Sequence, residues 1–153
     1  MPLVWNYRYF TEGESWGDSE RMNDAFVRCL DEFRHYIGIP IRVLCGTQGE
    51  HAAQSKHYIG CAADITFPEL GKWTLFELYL AACRFGFTGI GVYPHWRDHG
   101  EVIAGLHLER SPEAQSMRAF WIGVRERSSD KQTYVGLTLQ NIVRYGLIKL
   151  EAT

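Results

Sequence analysis

From Ser19 to Ile37 the apolar residues Met22, Ala25, Phe26, Cys29, Leu30, Phe33 and Ile37 recur every three to four positions, which places them on one face of a helix. Gly38 ends that helix and Pro40 bars its continuation. Ile41 to Cys45 reads as a short strand closed by Gly46. The period then drops to two. Between Cys61 and Phe67 the residues Cys61, Ala63, Ile65 and Phe67 form an apolar set, while Ala62, Asp64 and Thr66 point the other way. Pro68 stops this strand, and helical spacing returns from Trp73 to Phe85 through Leu75, Leu78, Tyr79, Ala82 and Phe85, with Gly86 as the stop. A strand from Thr88 to Tyr93 leads into a polar loop, Pro94 to Gly100. From Val102 to Glu109, Val102, Ala104, Leu106 and Leu108 share one face, and Ile103, Gly105, His107 and Glu109 share the other. A strand through Phe120 to Val124, a polar turn at Ser128 to Asp130 and a short helix near Leu137 to Tyr145 complete the pattern. The aromatic N-terminus (Trp5, Tyr7, Tyr9, Phe10, Trp16) is expected to pack as core or to cover a sheet edge.

At 153 residues the chain is sized for one domain with its own core. A formal net charge of -2 offers no overall basic field for nucleic acid or an anionic membrane. The longest apolar run, around Leu78 to Cys83, is far shorter than the roughly 20 residues of a membrane helix. Asn6 and Arg8 interrupt the first ten residues, so no signal peptide is read there and synthesis in the cytoplasm is expected. Cys29, Cys45, Cys61 and Cys83 lack C-x-x-C spacing, which predicts free thiols in place of a zinc ribbon or redox pair.

Against this background one stretch carries chemistry. Ser55 to Asp64 presents His57 and Asp64 on either side of Gly60, and His107 lies on the polar face of a later strand. Two imidazoles and a carboxylate suit a zinc ion that keeps a fourth position for water. If the strands of Asp64 and His107 are neighbours, about 4.8 Å apart, those side chains converge and His57 joins them from the preceding loop.

Three ordered motifs resemble those of the zinc D-alanyl-D-alanine carboxypeptidases and related phage endolysins, whose fold is shared with the hedgehog signalling domain. They are S-x-H-x-x-G-x-A-x-D at Ser55 to Asp64, G-x-G-x-Y-P at Gly89 to Pro94, and His107-Leu108-Glu109; the likeness runs from about Tyr9 to Arg110. The resemblance implies an α+β single domain with a mainly antiparallel central sheet flanked by helices. It also implies zinc at His57, Asp64 and His107, and substrate contacts at Ser55, Gln48 and Tyr93. The implied substrate is the stem peptide of bacterial cell wall.

The chain departs from the family pattern twice. Gln48 falls near where many members carry a substrate-binding arginine, which favours an endopeptidase over a carboxypeptidase. Ala104 stands where many carry an acidic base three residues before the last histidine. Glu101 is the first choice for the general base, on condition that Gly100 and Gly105 allow a bend, because six residues of straight strand span roughly 20 Å. Asp98 and His99 are loop alternatives, and Glu109 is placed to orient His107 from behind. His95, His99 or Gln48 could donate to an oxyanion. A non-catalytic zinc- or peptidoglycan-binding module on the same fold is the alternative reading. That no export signal is read fits the expectation of a phage-encoded lysin released by a separate pore, or of a prophage gene product.

Overall fold

The first helix begins where the Asn23 side chain accepts a hydrogen bond from Phe26 N (3.1 Å), satisfying an amide that has no partner inside the helix. In the computed structural model, which describes residues 3–112, 119–125 and 131–148, this helix is α1 (Asp24–Ile37), and Gly38 at φ 69° closes it. The helix expected from Ser19 starts later: Ser19–Arg21 is a separate 3-10 turn, because Met22 and Asn23 are extended. There follow β1 (Arg42–Cys45), a 3-10 turn (Lys56–Ile59), β2 (Ala62–Thr66) and α2 (Leu75–Ala82), the last capped reciprocally by Thr74 and Glu77. Then come β3 (Gly89–Asp98), β4 (Glu101–Glu109), β5 (Ala119–Arg125), β6 (Gln132–Gly136) and α3 (Leu139–Arg144).

These strands form one sheet in the order β1-β2-β4-β3-β5-β6. The sheet is mixed, which corrects the expectation of a mainly antiparallel one, since β5 runs parallel to β3. The reason is topological. The strand after β4 reverses direction once more, so it runs with β3, and it pairs on the far side of β3 from β4. β6 was not legible as a strand, and the turn expected at 128–130 lies outside the described residues.

The predicted loop 94–100 is also corrected. β3 continues to Asp98 and pairs with β4 around a tight turn whose central residues, His99 and Gly100, have φ values of 48° and 84°. An extra residue between Tyr93 and Trp96 forms a bulge at Pro94, a residue with no N–H to give to the ladder.

Val43, Ala63, Ile65, Ile90, Val92, Leu106, Leu108, Ile122 and Val124 project from one sheet face and are buried with Phe26, Phe33, Leu78 and Phe87. α2 packs on β3 and β4, and α1 on α2, so both cover this same face. Of the N-terminal aromatics, Phe10 and Trp16 are buried core residues and Tyr9 is exposed. All four cysteines are free thiols. Among the described residues no helix is long and apolar enough to cross a membrane. The face opposite the helices carries Asp64, His107 and the aromatic residues described next.

Candidate metal centre

Period-two alternation decides which side chains meet on the open face. In register across four strands lie Asp64 on β2, His107 on β4, Gly91 on β3 and Trp121 on β5. Asp64 and His107 are thus direct cross-strand partners. His57 reaches them from the 3-10 turn Lys56–Ile59, an ordered element in place of the expected loop. Ser55 caps this turn by accepting from His57 N (3.3 Å), and Gly60 closes it at φ 69°. The Gly60 carbonyl accepts from Asn23 N (3.0 Å), which ties the turn to the start of α1.

The three donor atoms make a tight triangle. His107 Nδ1 lies 2.9 Å from Asp64 Oδ1 and 3.2 Å from His57 Nε2, and His57 Nε2 lies 3.4 Å from Asp64 Oδ1. Tetrahedral zinc with bonds of about 2.0–2.1 Å sets its ligands about 3.3 Å apart. Both imidazoles are buried, and each turns its remote nitrogen to an acceptor: His57 Nδ1 to the Gly46 carbonyl (2.5 Å) and His107 Nε2 to Glu109 Oε2 (3.0 Å). A carbonyl and a carboxylate can only accept, so the remote nitrogens carry the protons. The lone pairs of His57 Nε2 and His107 Nδ1 therefore point at Asp64 and at each other.

Such a cluster requires a cation at its centre, either a proton or a metal. Without metal, burial works to lower the His107 pKa, but hydrogen bonds to Asp64 and Glu109 outweigh it and raise it to about 9. Burial pushes Asp64 the other way, yet the His107 and His57 imidazoles hold its carboxyl well below the usual carboxylate range. The hydrogen bond from His107 also lowers Glu109. A ligating histidine backed by a carboxylate is the arrangement that fixes tautomer and ring orientation in zinc sites. Glu109→Gln should accordingly weaken metal binding about 10–100-fold while leaving the fold intact. Unchanged affinity by competition with a chromogenic chelator would remove Glu109 from that role.

A second cluster, Cys45, His51 and His57, shares His57 with the first. Burial, with the nearby Asp64 charge, pushes the Cys45 thiol up to about 12, and its Sγ lies 3.0 Å from the Gln48 carbonyl that it donates to. It is held as a thiol and braces the loop. His51 stacks on His57 with centroids 3.9 Å apart and planes 10° apart, and its Nε2 sits 2.8 Å from the same Gln48 carbonyl. The Tyr58 hydroxyl accepts from His51 N and donates to His51 O, both at 2.9 Å, which pins this histidine on the cleft wall.

The cleft over the triangle has a volume of about 530 Å³. Ser55 and Tyr93 line it, as do His51, Trp96, Glu109 and Trp121. Other expected site residues lie elsewhere. Glu101 is exposed at the far end of β4, opposite Asp98, and the bulge lies in β3 and leaves β4 straight, so about 20 Å of strand separates it from His107. Asp98 is paired with Arg42 (2.8 Å), and the His99 side chain is 94% exposed at the hairpin tip. His95 faces Tyr145, with ring centroids 6.5 Å apart. Gln48 donates to the Ser15 carbonyl (2.8 Å) and accepts from Gly46 N (2.9 Å), so it shapes its own loop. His51, Trp96 and Trp121 were missed as site residues. His51 sits in a loop without period, Trp96 in the misread loop, and Trp121 on a strand whose partner could not be read.

No protein family, curated protein or solved structure matches this chain.

Proposed function

We propose that the protein is a zinc-dependent peptidase that hydrolyses an amide bond within bacterial cell-wall peptides. The observation that carries this reading is the convergence of two buried imidazole lone pairs and a carboxylate, each histidine backed by an acceptor, at the floor of an open cleft. Zinc bound there supplies a Lewis acid for the scissile carbonyl and makes water a nucleophile near neutral pH. Among the described residues no lysine or arginine lines the cleft to hold a terminal carboxylate, which favours an internal bond.

The chain's own groups divide the remaining work. Asp64 supplies the negative charge, and Glu109 and the Gly46 carbonyl hold the two ligand rings in the required tautomers. His51, with its Nε2–H given to Gln48, keeps a lone pair on Nδ1; it takes the proton from the attacking water and returns it to the leaving amine. Trp121 Nε1 donates to the Tyr93 oxygen (2.8 Å), leaving the phenolic hydrogen free to donate to the substrate carbonyl.

A second reading is a zinc-bearing module that binds wall peptides without cutting them. The exposed position of Glu101 and the internal engagement of Gln48 favour it. Digestion of defined muropeptides separates the two. The peptidase reading expects new amine termini that disappear on chelation, and at least a hundredfold lower turnover in His51→Ala at unchanged zinc content. Zinc-loaded protein that leaves every muropeptide intact would establish the binder.

A further inference from the structure

Beside the candidate metal centre the cleft is lined by Trp96 and Trp121, both half-buried, with Tyr93 buried against them. Tyr93 and Trp96 stack with centroids 4.2 Å apart and planes at 16°, and Trp121 lies 5.4 Å from the His107 ring. The bulge in β3 makes this possible, because one extra residue turns Trp96 onto the same face as Tyr93.

The strands beneath are cut back to glycine. A Cβ on Gly91 would lie 2.6 Å from ring atoms of Trp121 and Tyr93, one on Gly105 2.6 Å from Trp96, and one on Gly123 2.2 Å from Tyr93. Glycine inside a strand weakens it and often marks a place where a ligand or another backbone approaches closely. Here the glycines make room on the sheet for three large rings. Trp96 and Trp121 remain only half-buried, so the core gains less from them than their size allows.

Away from Asp64 and Glu109, the described residues of the rim are polar and uncharged. Gln54 and Gln132 supply amides, and Ser55 and Tyr134 supply hydroxyls, with Tyr134 65% exposed. Among the described residues no lysine or arginine stands beside the Trp96 and Trp121 rings to pair an anionic ligand, and a purely apolar side chain would leave the amides and hydroxyls unpaired. A neutral sugar ring satisfies both parts, with its C–H face on the aromatic rings and its hydroxyl or acetamido groups toward the rim.

We infer that the cleft holds a neutral pyranose against Trp96 and Trp121, so that the substrate is a sugar-linked peptide and not a free one. This rests on the peptidase reading for the presence of a scissile peptide; the sugar site itself needs no metal.

Tryptophan fluorescence would be followed while the protein is titrated with an N-acetylglucosamine trisaccharide, with zinc and after chelation. Saturable binding at sub-millimolar concentration is expected in both conditions. It should weaken about tenfold in Trp96→Ala, survive in Trp96→Phe, and weaken in Tyr134→Ala, whose exposed ring can be removed without disturbing the core. Sugar binding in a protein that takes up no zinc would keep this inference and sink the peptidase. Zinc-dependent cleavage of sugar-free stem peptides as fast as of sugar-linked ones, or no response to the trisaccharide at millimolar concentration, would overturn the inference and leave the peptidase standing.

Discussion

Zinc affinity should fall about tenfold for each unit that pH drops below about 9, and His107→Ala should lose both most of the affinity and this dependence. In the metal-free protein His107 carries a proton on the nitrogen that faces Asp64, because its pKa is raised to about 9. Zinc must displace that proton, so binding releases at least this one, and His107 by itself makes log Kd rise one unit per unit fall in pH. Asp64, held well below the usual range, is ionised throughout and adds no slope. Zinc sites built from four ligands bind with roughly 10–16 kcal/mol, so one ligand is worth about 3 kcal/mol, or a factor of about 100 in Kd. Calorimetry between pH 6 and 8 in buffers of different ionisation enthalpy reads both the affinity and the proton released. At 100 times Kd, zinc adds about 2.7 kcal/mol of stability and should raise Tm by about 5–10 °C in the parent protein but not in the variant. A pH-independent Kd, or full affinity in His107→Ala, would remove His107 from the ligand set.

Gly60→Ala should be among the most destabilising single substitutions in the chain. Gly60 has φ 69°, and a Cβ there would lie 1.9 Å from the Arg21 carbonyl oxygen and 2.8 Å from Met22 Cα. Both are backbone atoms, so no side-chain rotation relieves the overlap. Left-handed backbone costs an alanine about 1–2 kcal/mol, and forcing atoms into a packed contact adds about 1–3 kcal/mol. A loss of about 3 kcal/mol, or about 10 °C in Tm, is expected by calorimetry. The surviving folded fraction should also bind zinc more weakly, because the strained turn carries His57. A Tm within 2 °C of the parent would contradict this account of the glycine.

Two corners of the candidate metal triangle were legible in the sequence because alternation is a local property, whereas His57 was read from its spacing to Asp64 in the Ser55 to Asp64 motif. Asp64 and His107 each stand among apolar neighbours at period two, so each announces its face before any partner is known. That β2 and β4 are adjacent, with these two residues in register, is a long-range fact that no window of sequence contains. Trp121 shows the same limit: it belongs to the row through Gly91, but only the parallel pairing of β3 with β5 puts it there. Loop 94–100 was misread because its polar composition resembles a connection, whereas a bulge at Pro94 keeps the strand paired as far as Asp98. Glu101 was chosen by its distance from His107 in sequence, and a regular β4 turns that distance into length. His51 gave no periodic signal, since its place depends on the Tyr58 hydroxyl and on stacking with His57.

The alignment of β2 with β4 does two jobs through one set of hydrogen bonds. Sliding β4 by a single residue would bring Leu106 and Leu108 out to water and drive His107 and Glu109 in among Phe26, Leu78 and Phe87. Burying those ionisable groups in place of leucine would unfold the chain before it could misplace a ligand. Proofreading of the candidate metal centre is thus delegated to the apolar layer behind it, and molecules that fold at all are committed to the same placement of Asp64 against His107.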